Sequence, residues 1–306
     1  MTLFALQGAV ELGLIYALVA LGLFVSYRVL DIPDLTVDGS FTLGAAVSAV
    51  FTDAAHPYLG ILFAVAAGWC AGMVSAFLQT KLKIQPILAG ILAMTGLYSI
   101  NLRIQGKANI NLSSRKTIYS LLRVDTVFSP VSGLSLGKLL VALCVTLLVC
   151  LFLVLFFRTS TGLCIRATGD NETMVRSSSI NTDRMKFLGL GLANALVGLS
   201  GGLIAQYQNS ADMNTGVGMV VIGLASLIIG EAIFGKPSVP RNILAVVLGA
   251  IIYRIIYAFV MARGMAASDL KLISAVIVTL AISYPVVTDR YRLHKLMKEA
   301  AKDVGA

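Results

Sequence analysis

Long apolar stretches broken by short polar ones run through almost the whole chain. A membrane-crossing helix needs about 20 apolar residues at 1.5 Å rise each. The pattern predicts helices near residues 5–27, 39–52, 58–80, 86–105, 136–157, 187–208, 216–234, 241–262 and 269–288. The second is short, and either crosses only partway or is tilted, with neighbouring residues helping. The runs are continuous and rich in Leu and Ala instead of alternating, so strands are not expected. The expected fold class is all-α: a polytopic bundle of about 8–10 transmembrane helices, forming one domain over residues 1–306.

A polar island of 29 residues, Arg158 to Lys186, interrupts this pattern. It lies between two uncharged stretches, Leu139–Phe157 and Phe187–Tyr207, each long enough to cross a bilayer. With the island placed inside, 15 Lys and Arg residues fall on the inner side and eight on the outer. Four of the outer ones sit in the loop 106–135. The excess follows the positive-inside rule. Nine crossings then put the N-terminus outside; a re-entrant 39–52 segment would put it inside.

A repeat supports nine. Ala17-Leu18-Val19-Ala20-Leu21 recurs as Ala195-Leu196-Val197-Gly198-Leu199, an offset of 178, and the same offset carries Asp34 onto Asp212. By this parity the two copies enter the membrane from opposite sides. That is an inverted repeat, with halves near 5–105 and 187–288, the plan of many transporters.

Composition agrees. The chain is 58% hydrophobic and 13% charged, with mean hydropathy +0.88, where soluble domains carry about 25% charged residues. It is an integral membrane protein, and its surroundings include membrane lipid. The net charge of +9 collects in loops that orient the spans, and no aromatic-basic platform suggests a nucleic-acid partner. Cys70, Cys144, Cys150 and Cys164 lack metal-ligand spacing and read as small apolar residues or free thiols. The N-terminus has no basic n-region and reads as the start of the first span, not a removed signal peptide.

Within the island, Asp170 or Asn171 can accept hydrogen bonds from the first amides of a short helix over Met174–Ser179, and Glu172 suits the positive end of its dipole. Ile180-Asn181 ends it. Such a helix between two spans can transmit force from a docked subunit. The residues alone fit an idle basic loop equally well.

Polar residues at membrane depth are candidates for function. Asp34, Thr36, Asp38 and Ser40 precede or open the second helix. Either Asp38 or Ser40 caps it, or this turn lines a translocation path. Thr95, Tyr98, Asn101 and Gln206 are further path candidates, though interhelical hydrogen bonding explains Asn101, Asn194 and Gln206 as well. Glu231 has a pairing or capping role, and Arg254 reaches to an edge. Gly230 to Pro237 nearly spells a P-loop, but Pro237 replaces the hydroxyl that would hold Mg²⁺. No catalytic residue, metal site or cofactor is expected on this chain, and ATP, if used, binds another polypeptide. The tail from Asp289 to Ala306 reads as an amphipathic helix on the inner leaflet.

The island resembles the conserved cytoplasmic segment of the ribose and branched-chain amino-acid ABC importer permeases. Their pattern A-x-G-x-N-x-x-A-x-x-x-G-I-N-x-x-x-x-K meets Ala167, Gly169, Asn171, Ile180, Asn181 and Lys186. Met174 departs from a usual Ala, and Ser179 stands where Gly precedes Ile-Asn. The likeness extends to GLIYALVALGLFVSYRV and to GLASLIIGEAIFGKPSVPRNILAVVLGAIIY, so most of the chain is covered. Two prolines in Gly235–Pro240 replace glycines of the family, which stiffens that loop. Asp34–Ser40 differs from the N-F-A-H-G type of the amino-acid branch and looks like a less characterised branch linked with amino-acid uptake.

The resemblance implies a permease subunit of an ATP-driven importer in the bacterial cytoplasmic membrane, itself no enzyme. It would work as a homodimer with separate ATPase subunits and an extracytoplasmic binding protein. The cargo is a small polar solute: an amino acid, aromatic ones among the candidates, or a sugar or nucleoside. The resemblance makes loop 158–186 the ATPase-coupling segment, carried by Arg166, Gly169, Asp170, Asn171, Glu172, Met174, Arg176, Ile180 and Asn181. The alternative is an ion-coupled secondary transporter, which needs carboxylates near mid-membrane, whereas most acids here lie in or beside loops.

Overall fold

The structure, a computed structural model, describes residues 3–121, 136–235 and 238–263, and single positions between 272 and 283. The expected helix at 269–288 and the tail fall outside the described residues but for those positions. The first helix, α1 (Leu3–Leu23), continues into a π-helical turn (Phe24–Val29). Next come α2 (Thr36–Asp53), α3 (Pro57–Thr80), α4 (Pro86–Gln105), β1 (Asn109–Asn111) and α5 (Ile118–Leu121). The second half holds α6 (Leu136–Phe156), α7 (Ser160–Asp170), α8 (Glu172–Ser177), α9 (Thr182–Gln208), β2 (Ser210–Asp212), α10 (Met219–Phe234) and α11 (Val239–Met261). Among the described residues, six helices are long and apolar enough to cross a membrane; α2 and α10 are not among them.

Punctuation residues set the boundaries. Proline stands in the first turn of α3, α4 and α11, where its missing N–H costs nothing. Gly106 (φ 70°) ends α4, and Asn209 (φ 52°) ends α9 in the left-handed region. Strands were not expected, yet β1 and β2 pair antiparallel, Asn109 opposite Asp212 and Asn111 opposite Ser210. This short ladder closes the ends of α4 and α9. It lies beyond the helices, where alternation over three residues is too brief to read.

At the centre stands α9. Every residue from Gly189 to Gln206 except Leu199 is buried. Lipid tails are as apolar as leucine, so helices in a bilayer associate through close packing, which small residues permit. Gly68 and Gly72 of α3 lie on the carbonyls of Asn194 and Leu190, Gly44 of α2 lies on Gly198, and Gly201 meets the carbonyl of Phe41. A side chain at any of these sites would strike backbone.

Directions follow from the contacts. Ser200 Oγ donates to the Ile15 carbonyl at 2.8 Å, while Gly22 packs on the Ala193 carbonyl, so α1 and α9 run antiparallel. Adding 178 to Ile15 gives 193 and adding 178 to Gly22 gives 200, so the offset of the sequence repeat relates the two contacts. Thr146 Oγ1 donates to the Leu14 carbonyl at 3.1 Å and Phe157 meets Phe24 edge-on at 6.2 Å, so α6 runs parallel to α1. The start of α1 and the polar island therefore lie at opposite ends of the bundle. The re-entrant alternative for the second helix fails, because α2 climbs alongside α9 from Ser40 at Asn194 to Ser48 at Gly202.

Gly198 sits between Gly44 and the Ala64 carbonyl. Gly198→Val should push both neighbours away and cost about 1–3 kcal/mol or more, as overpacking does. The unfolding midpoint in detergent should fall accordingly; an unchanged midpoint would show that this seam does not set the packing.

Candidate functional site

The polar island folds as two helices where one was expected. Thr159 Oγ1 caps α7, accepting from Gly162 N at 3.2 Å. Asn171, not Asp170, caps α8, accepting from Met174 N at 3.0 Å. Helix α8 therefore starts at Glu172, two residues before the expected start. It ends in a Schellman motif: Ile180 N donates to the Val175 carbonyl at 3.3 Å and Ser179 N to the Arg176 carbonyl at 3.1 Å. Ser179 takes φ 61°, the left-handed conformation that favours glycine. Asn181 then caps α9 through Arg184 N at 3.1 Å, which moves the start of that helix back to Thr182.

A charged clamp ties α8 to α9. Glu172 accepts from Arg176 Nη2 and from Lys186 Nζ, both at 2.9 Å. Arg176 Nε donates to Thr182 Oγ1 at 2.9 Å, and Asp183 bridges Arg176 and Lys81 at the end of α3, each at 3.5 Å. Exposed ion pairs are weak singly and gain from sharing partners. The hydrogen bond from Lys186 is the main cause that holds the Glu172 carboxyl below its ordinary value, against the opposing effect of partial burial. Val175 is buried under the clamp, while Met174 and Arg176 face outward.

Gly169 makes the second anchor. It closes on the Val29 carbonyl with no room for a side chain, so α7 abuts the π-turn directly. The island is therefore joined to α1 through Gly169 and to α9 through the clamp. Arg166 and Asp170 stand apart, lining a cleft with Arg28 at the inner ends of α1 and α11. Ile180 is half-buried.

The candidate path residues separate into two groups. Asp34, Thr36, Ser40 and Gln206 are buried among helices. Asp34 Oδ1 accepts from Thr36 N at 2.9 Å and so opens α2, while its Oδ2 accepts from Asn194 Nδ2 at 2.7 Å. Ser40 Oγ donates to Asn194 Oδ1 at 2.7 Å, and Gln206 bonds Ser48, the Pro57 carbonyl and Ile118 N. Asp38, Thr95, Tyr98 and Asn101 come together in a cleft of about 200 Å³ between α2 and α4, with Met94 and Met213 on its walls. Asn101 Nδ2 donates to the Gly39 carbonyl at 3.2 Å, and its buried Oδ1 has no partner among the described residues. Asp38 does not cap its own helix. It accepts from Gly218 N and Val220 N, both at 2.9 Å, and caps α10.

The acids are deeper than their sequence positions suggested. Glu11, Asp34 and Glu231 are all buried. Glu11 takes bonds from Gln7 at 2.7 Å and Tyr207 at 2.8 Å, and Glu231 pairs with Arg28 at 3.0 Å. Glu11 sits alone among apolar residues of the first span, and that was its available signal. Arg254 does not reach to an edge but stacks over Tyr16, 3.8 Å from the ring centre. Of the near P-loop, Gly230 of α10 packs on the Ala245 carbonyl of α11.

A family model described as branched-chain amino acid transport system / permease component matches residues 6–283. The tyrosine transport system permease protein of Clostridioides difficile is 40% identical over 87% of this chain and 86% of its own length. The guanosine ABC transporter permease protein NupQ of Bacillus subtilis is 26% identical over 71% and 73%. Among solved structures, PsaBC from Streptococcus pneumoniae in complex with Fab shares the fold, with a TM-score of 0.52 at 14% identity over 91% of this chain and 89% of that one.

Removing the Asp38 carboxylate by Asp38→Ala leaves two amides of α10 without acceptors. The expected loss is about 1–3 kcal/mol, with faster hydrogen exchange at residues 218–222; unchanged exchange there would mean that Asp38 does not hold α10. Because the Glu172 carboxyl is held low, the clamp contributes fully above its ordinary value of 4.5 and is lost as pH falls through the lowered one. Protease nicking of the island should stay flat from neutral pH to about pH 5 and rise only on further acidification. A rise that begins near neutral pH would contradict the clamp.

Proposed function

The chain belongs to the branched-chain amino acid transport system permease family, and from that premise we propose its cargo, its path and its mode of coupling. It is a multi-pass permease subunit of an ABC importer in the cytoplasmic membrane, and not an enzyme. ATPase subunits and a substrate-binding protein are its partners. The proposed cargo is an aromatic amino acid. The likeness to a tyrosine permease over most of both chains supports this.

The proposed path runs along the cleft of Asp38, Thr95, Tyr98 and Asn101. The methionines and Tyr98 offer apolar walls to an aromatic ring, and Asn101 Oδ1 offers an acceptor to the ammonium or ring hydroxyl. Tyr98 is 54% exposed at this cleft. A second copy facing the same cleft would cover the exposed Tyr98 and give a homodimer with the path between its subunits. ATP and Mg²⁺ belong to the ATPases, which dock on the outward face of α8 at Met174 and Arg176. The extracytoplasmic binding protein meets the outer segment that begins at Gly106.

The observation that carries this reading is the double anchorage of the island, to α1 at Gly169 and to α9 through Glu172 and Lys186. A push on α8 moves both helices, and these hold the starts of α2 and α10 beside the cleft. Arg176→Glu combined with Gly169→Pro should abolish ATP-driven uptake while the permease still inserts and dimerises; unchanged uptake would overturn the coupling role. Asn101→Leu should raise the half-saturating tyrosine concentration in reconstituted uptake about tenfold. An unchanged value would exclude this cleft as the path.

A further inference from the structure

At the inner ends of α1, α6, α7 and α11 two adjoining cavities, of about 420 and 330 Å³, share Arg166, Ser238 and Val239. Arg28, Arg158 and Arg166 line them. Arg28 is committed to Glu231. The side chains of Arg158 and Arg166 have no hydrogen bond or ion pair among the described residues. Helix α11 begins here, and no side chain among the described residues caps it, so its positive end is open to the cleft. Two features ask for the opposite chemistry. Asp170 places an exposed carboxylate on the lining. Asn242 is 7% exposed, gives its Nδ2 to Glu231 at 3.3 Å, and keeps a buried Oδ1 with no partner among the described residues.

We propose that this cleft holds the headgroup of an inner-leaflet phospholipid that carries an amine, a phosphoethanolamine. The phosphodiester lies against Arg158, Arg166 and the start of α11. The ammonium lies against Asp170 and the free oxygen of Asn242. Depth favours a lipid: Arg158 directly follows the apolar run Leu139–Phe157, and Ser238 and Arg241 stand at the start of α11, ahead of its apolar run, so the cleft is at headgroup level. Free phosphate would satisfy the arginines and leave Asn242 unpaired. A choline headgroup has no N–H to donate, and a glycerol headgroup brings no positive charge to Asp170. The bound headgroup links α7, which carries the coupling segment, to α6 and α11.

The test is native mass spectrometry of the full-length permease, purified in mild detergent and exchanged with phosphatidylethanolamine, phosphatidylglycerol or phosphatidylcholine. Phosphatidylethanolamine should be retained over phosphatidylcholine by about fivefold. Asn242→Leu should bring that ratio to about one. Asp170→Asn, an exposed change that leaves the fold intact, should lower it too. Arg166→Gln should reduce retention of phosphatidylethanolamine and phosphatidylglycerol alike. Equal retention of the amine and choline lipids by the unaltered protein overturns the proposal. So does stabilisation by inorganic phosphate without lipid retention, which would make the ligand a free anion. If Arg166→Gln leaves lipid retention unchanged and instead weakens copurification of the ATPase, the cleft is a protein-docking surface and the lipid assignment falls.

Discussion

A helix that begins inside a bilayer leaves its first amide protons without water, and each such group costs several kcal/mol unless the protein satisfies it. Two helices of this chain face that constraint. Gly39 of α2 lies beside Leu97, eight residues and about 12 Å below the outer end of α4, and α10 starts against Asp38 in the same turn. Asp34 opens α2 and Asp38 caps α10. One buried carboxylate and one half-buried one thereby fix where two short helices meet, and Asn194 of α9 holds the first of them in place. The central architecture depends on these bonds, because nothing in a lipid interior could replace them.

The same constraint explains why α2 tolerates Thr, Ser and Asp. Helices α3, α4 and α9 surround it, so its polar groups meet protein and not lipid. The seams between α9 and its neighbours are lined with Gly and Ala, which brings backbones close enough for Ser48 and Ser200 to bond carbonyls across helices. Close packing transmits displacement, since a dense interior has no slack to absorb it.

The proposed coupling would use that stiffness. The island grips α9 by charge and α1 by contact, and both helices lead to the paired starts of α2 and α10. The π-turn at Phe24–Val29 lies where Gly169 bears on α1. Turns of this kind are often found at functional positions in helices. A lipid headgroup in the inner cleft would add a third attachment, between the lever and the surrounding membrane.

Hydrophobic periodicity and length alone placed the eight expected apolar helices that fall among the described residues, most boundaries to within a few residues, and the side on which the island lies relative to the first helix. These properties are local: a run of apolar residues must become a helix in lipid, and Pro, Gly and Asn mark its ends. A cap at Asp170 or Asn171 was also legible, because capping chemistry acts over three residues, whereas Gly169 came only from the family resemblance. Only the tertiary structure decided that Asp38 caps α10 instead of α2, that Asp34 joins Asn194, and that Glu172 reaches Lys186. The partners in the first two cases are separated by at least 160 residues, and no period in the chain encodes such a distance. The division of the candidate path residues between buried struts and an open cleft has the same origin. A polar side chain in a span has one identity in the sequence, and the helix that packs against it determines its role.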